Sequence, residues 1–192
     1  MNRIHTCTLF VLVLVVFAAA LSACGPAETS TELETVNDAS GLFHVKVPND
    51  WSSLAEEGLV VLYASDTLPE EERIDDLSVA IFSTDETTDT PVPETLTFVV
   101  DRRAADRSWK DYSRSEPRAT SIGGREGSFV EVTGTDANGQ DFRARYHYIR
   151  TSGRDVLVIA VAPSAMWDVV VPEVDTLIAD EWYWHTPAGG TP

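Results

Sequence analysis

The chain has 192 residues, 31 acidic against 14 basic side chains, a formal net charge of −17 and 43% hydrophobic residues. Such a charge sets it against nucleic-acid phosphates and anionic lipid surfaces, which argues against nucleic-acid binding and against polybasic membrane adhesion. The length supports one hydrophobic core rather than two.

Met1 to Arg3 is a short polar start with one positive charge, and Leu9 to Leu21 is an uncharged apolar run. This is the pattern of a secretory signal. The thirteen residues of the run make about 20 Å of helix, short of a hydrocarbon core of roughly 30 Å, which argues against a permanent span. Leu21-Ser22-Ala23-Cys24 resembles the lipobox of bacterial lipoproteins. The resemblance implies a signal peptide over 1–23 and a diacylglycerol on Cys24, which becomes the new N-terminus. The alternative is an ordinary cleavable signal with a chance cysteine. Cleavage before Cys24 leaves 13 basic and 31 acidic residues, a net −18. It also leaves no free thiol for disulfides, thiolate metal sites or cysteine nucleophiles.

Residues 24–40 are polar and acidic, and read as a flexible tether. Residues 41–185 carry the aromatic and β-branched content of a single domain, and the Gly/Pro-rich 186–192 reads as a loose tail. Phe43, Val45 and Val47 alternate with His44 and Lys46, which predicts a strand; Leu59 to Ala64 and Leu77 to Ser83 predict two more. After Pro91-Val92-Pro93, apolar residues at Leu96, Val99, Val100 and Ala104 predict a helix from about Glu94 to Arg107.

Four strand-like runs follow, Ala119 to Ile122, Ser128 to Thr133, Phe142 to Ile149 and Val156 to Ala162, as in an antiparallel meander. The turn Ala137-Asn138-Gly139 tests the register. A two-residue loop would mix polar and apolar side chains on both faces. A three-residue loop with Gly139 left-handed pairs Val130 with Tyr146, Val132 with Ala144 and Glu131 with Arg145, leaving one face apolar. Trp167, Val170, Val171, Val174, Leu177 and Ile178 then fall on one face of a second helix, interrupted by Pro172. The order predicts an α+β fold, an antiparallel sheet with helices packed on it as an αβα sandwich.

"FHVKVPNDW", the glycine-entered pair "SIGGREGSFVEV" and the closing helix "WDVVVPEVDTLIADEW" resemble the PsbP-like superfamily. That group includes photosystem II extrinsic subunits, Ran-binding Mog-type proteins and small bacterial lipoproteins. The resemblance spans roughly Gly41 to Trp184. It implies an accessory role, with no enzyme activity, no cofactor and no functional residue carried over.

The chain lacks a G-x-S-x-G elbow, H-E-x-x-H, a Walker loop and S-x-x-K. No metal site is expected. Asp136 to Asp141 offers oxygen ligands, but an EF-hand needs glutamate at position twelve, where His147 stands. The acid-rich stretch Asp66 to Glu94 reads as solubilising loops, with loose cation binding as the alternative. Two clusters remain. Arg102, Arg103, Arg107, Trp109, Lys110, Tyr112 and Arg114 open a stretch to Arg125 in which bases outnumber acids, a candidate interaction surface for an acidic partner or an anionic polymer. Helix-end dipole complementation accounts for part of it. Glu131, Arg143, Arg145 and His147 share the predicted polar face and form a candidate anion or acid–base site, against a plain solvated ion-paired face. Trp182-Tyr183-Trp184 is expected to close the core, with an exposed aromatic patch as the alternative. The sequence thus predicts a lipid-anchored, extracytoplasmic accessory or binding module with a protein partner. A small-ligand or metal-binding envelope protein and a small hydrolase using His147 and Glu131 stand as alternatives.

Overall fold

The computed structural model describes residues 32–66, 74, 76–85, 87–151 and 153–185. The signal segment, Cys24 and the tail 186–192 lie outside the described residues, as does most of the acid-rich 67–75. Eleven strands and two helices make up the described chain. They are β1 Leu33–Asn37, β2 Phe43–Pro48, β3 Ser52–Glu56, β4 Leu59–Tyr63, β5 Ser78–Thr84, α1 Val92–Asp106, β6 Lys110–Arg114, β7 Arg118–Ile122, β8 Arg125–Thr135, β9 Asp141–Arg150, β10 Asp155–Pro163, α2 Trp167–Ala179 and β11 Trp182–Trp184.

The large sheet has the order β3-β4-β5-β10-β9-β8-β6, with β7 also on β8, and every pair is antiparallel. The long β8 makes this possible: β7 pairs along Arg125 to Phe129 and β6 along Val132 to Thr135. A small sheet, β1-β2-β11, forms separately.

Period-two alternation divides the side chains between two cores. On one face, Val130 and Val132 of β8 and Phe142, Ala144, Tyr146 and Tyr148 of β9 pack against Leu96 and Val100 of α1. On the other, Val156, Val158, Ala160 and Ala162 of β10 pack with Trp167, Val174 and Leu177 of α2 and with Phe43, Val45 and Val47 of β2. The helices therefore lie on opposite faces of the sheet, the expected αβα arrangement.

The hairpin register follows the expectation: Val130 pairs with Tyr146, Glu131 with Arg145 and Val132 with Ala144. Asp136 and Gln140 close a three-residue loop in which Gly139 has φ +83°. Helix α1 begins at Val92, behind Pro91 as N-cap, with Glu94 in its first turn complementing the dipole.

The tether differs from expectation in its last residues. Leu33–Asn37 forms β1 on the free edge of β2, with Val36 only 6% exposed. The described fold thus includes a strand ahead of the expected boundary at residue 41. Composition misled because one buried valine is enough when the partner strand supplies the hydrogen-bonding edge. Strands β3, β6 and β11 also lacked a distinct sequence pattern. Trp182 does close the core, stacking on Phe43 at 4.5 Å, while Tyr183 stays outside.

Candidate functional site

Strands β4, β5 and β10 are apolar on both faces, the mark of a sheet covered on two sides. One face is filled by the α2 core. On the other, α1 packs over β8 and β9. Beside it lies a cavity of about 450 Å³, within the roughly 300–1,000 Å³ typical of small-molecule sites. Its floor is Leu59, Val61, Ala80, Phe82, Ile159 and Val161; Arg103, Arg107 and Trp109 come from the end of α1 and the connection beyond it.

That connection is bent tightly. Ser108 within it and Asp111 at the irregular start of β6 have φ of 53° and 49°, left-handed conformations that side-chain-bearing residues adopt at a cost. The turn is stitched by Ser108 N donating to Ala105 O and Trp109 N to Ala104 O, both at 3.1 Å. The Trp109 ring is thereby set 4.7 Å from that of Phe142. Arg103 lines the cavity with its Nε buried and without a hydrogen-bond partner. Burial pushes the Tyr146 hydroxyl up to about 12, an effect that Arg103 and Arg107 oppose. Among the described residues the lining carries one carboxylate, Asp136, whose Oδ1 accepts from the backbone of Asn138 and Gln140, each at 2.9 Å.

The predicted basic surface is thus split. Arg103, Arg107 and Trp109 turn to the cavity. Arg114 is a fork on Asp101, donating at 2.7 and 3.1 Å, and Tyr112 donates to the same carboxylate at 2.6 Å. Arg114 holds the Asp101 carboxyl below its usual range. These two side chains fasten β6 to α1 and are not free for a partner. Arg102 and Lys110 remain exposed, Arg102 facing Asp106 at 3.6 Å.

The second predicted cluster lies on the other face, and α2 reaches over it. Arg143 pairs with Asp168 at 2.9 Å, and Arg145 pairs with Asp175 of α2 and, at 3.0 Å, with Glu131. Glu131 also accepts from Arg118 at 3.2 Å. The open polar face expected from the sequence is therefore an ion-paired clasp between helix and sheet.

His147, at 3% exposure, stacks on Phe129 at 5.4 Å, and its Nδ1 meets Thr120 Oγ1 at 3.4 Å. Its Nε2 has no hydrogen-bond partner. Burial, with Arg145 second, lowers its pKa to about 3. Glu131 is held by arginines, and His147 is a neutral ring at neutral pH. The cavity was missed because its floor comes from three strands distant in sequence. The available signal was the unbroken apolarity of β4 and β10.

The serine/threonine kinase C-terminal domain family matches residues 34–180. The chain belongs to this family. The match begins within β1 and ends just after α2, so it spans both cores. Among solved structures the chain is similar to the cyanobacterial PsbP (CyanoP) of Synechocystis, with 18% identity over 85% of this chain and 98% of that one at TM-score 0.54. It is similar to the Ran-binding protein Mog1p of Saccharomyces cerevisiae, with 16% identity, 81% and 96% coverage and TM-score 0.56. It is also similar to LpqN of Mycobacterium tuberculosis, described as involved in cell envelope biogenesis, with 16% identity, 84% and 100% coverage and TM-score 0.53. The fold of this family member is therefore PsbP/Mog-like. No curated protein matches by sequence.

Proposed function

We propose that the protein is a non-catalytic, extracytoplasmic binding module, held at the membrane by a lipid on Cys24, that docks on a larger protein of the cell envelope. The observation that carries this reading is the outward face of α1. Phe98 is 63% exposed, and the Arg102 side chain, one turn on, is 69% exposed. An aromatic beside an arginine is the composition of interface hot spots, and the basic end of α1 on so acidic a protein suits a partner with an acidic surface. Membership of a family described as a kinase C-terminal domain agrees with binding rather than catalysis, since the chain contains neither H-R-D nor D-F-G. The likeness to LpqN, described as an envelope-biogenesis protein, fits the location.

A photo-crosslinking amino acid placed at Phe98 in the anchored protein should give a high-mass adduct in cells. The same group at Val169, 76% exposed on α2, should give none, and Arg102→Glu should abolish the Phe98 product. Equal adducts from both positions, or none from Phe98, would overturn this docking face.

A further inference from the structure

The cavity beside α1 has a chemistry of its own. Its floor is hydrocarbon from three strands, Leu59 and Val61, Ala80 and Phe82, Ile159 and Val161. Of these Ile159 is buried and the other five are only half-buried, so the large sheet keeps apolar surface that no element of the described fold covers fully. Two guanidinium groups, Arg103 and Arg107, line the same space, and Arg103 keeps a buried Nε donor unmatched. A buried donor without an acceptor is costly, and a guanidinium is best satisfied by a carboxylate or phosphate. Among the described residues of the lining the one acid is Asp136, which is engaged by its own turn amides. The left-handed residues Ser108 and Asp111 bracket Trp109, and Arg107 precedes them, so local strain is concentrated where the cavity's charged and aromatic groups enter it.

Apolar floor, cationic end and volume together specify one kind of occupant. We propose that this cavity binds a single-chain amphipathic anion, its alkyl chain on the floor and its carboxylate or phosphate head on Arg103 and Arg107. The inference does not depend on the docking face, because Phe98 and Arg102 are not part of the cavity lining. Neither outcome of the crosslinking experiment bears on it.

All described elements lie between Leu33 and Trp184, so a chain starting at Gly25 keeps the whole described fold. Calorimetric titration with decanoate, decyl phosphate, decyl glucoside and butyrate separates the chain contribution from that of the head. Saturable one-to-one binding of decanoate or decyl phosphate is expected, at least about tenfold tighter than decyl glucoside, with butyrate not binding; charge-assisted hydrogen bonds carry that difference. Whichever of the two anions binds more tightly identifies the head group.

Arg103→Gln should weaken the anions at least about tenfold and leave decyl glucoside unchanged. Ala80→Phe, which fills the floor, should abolish all binding. Arg107→Gln, at an exposed position, gives the same test, and a retained thermal transition checks each variant. Equal affinity for the anions and the glucoside would overturn the proposal. So would undiminished anion binding by folded Ala80→Phe or by folded arginine variants, or no binding by the parent chain.

Discussion

Two buried ionisable residues show how differently the same fold treats charge. Asp155 is 1% exposed and yet fully engaged: Tyr148 donates to it at 2.6 Å and Arg150 at 2.9 and 3.1 Å. The Tyr148 hydroxyl is pushed up to about 12, first by burial and then by that bond. His147 has no such partner, and burial, with Arg145 second, lowers its pKa from 6.5 to about 3. The unfolded chain therefore takes up a proton at a higher pH than the folded one. The resulting stability is complete above pH 6.5 and is lost progressively as the pH falls towards 3. His147→Gln should remove this dependence. Urea unfolding at pH 7, 5.5 and 4.5 is expected to show the parent losing up to about 1.4 kcal/mol more per pH unit than the variant below pH 6.5. Parallel pH profiles would exclude His147 as the titrating group. The sequence placed His147 correctly on the face of Glu131 and Arg145, since alternation decides faces. That the face is covered was not legible, because α2 comes from another part of the chain.

At the scale of elements, the β8–β9 hairpin was readable to the residue, and the reason is local. Only the register with a three-residue loop and a left-handed Gly139 kept Val130, Val132, Ala144 and Tyr146 on one face. The strands that escaped, β1, β3, β6 and β11, are edges or short additions whose pairing is decided by an available neighbour rather than by their own pattern. Gly127 marks a further constraint that periodicity does not reveal. It pairs with Thr120 on one side and Ile149 on the other. A Cβ there would lie 2.6 Å from Ile149 Cγ1 and press on the Tyr148 carbonyl. Backbone on a doubly paired strand has little room to retreat. Gly127→Ala is expected to cost about 1–3 kcal/mol, the range for overpacking, measured as a lower urea midpoint with an unchanged slope. Parent-like stability would show that β8 and β9 can separate locally.

For the whole molecule, location and fold are separate questions answered by different parts of the chain. The lipid anchor is a proposal resting on Leu21-Ser22-Ala23-Cys24 alone. Cys24→Ala should move the protein from the detergent to the aqueous phase of a partition experiment, or leave an uncleaved precursor; a correctly cut, membrane-held variant would refute acylation. The fold class followed from the order of elements and is carried by two cores on either side of one sheet. The basic stretch was legible as composition, but its division was not. Asp101 draws in Tyr112 and Arg114, while Arg103 and Arg107 line a cavity with strands 20 to 60 residues away in the chain. By itself the sequence determined what depends on neighbours along the chain: the address-like start, the strand and helix periods, and the hairpin register. Only the tertiary structure decided which charges are spent on internal pairing and where apolar surface stays partly uncovered. Those outcomes depend on distant segments meeting, and no local pattern encodes them.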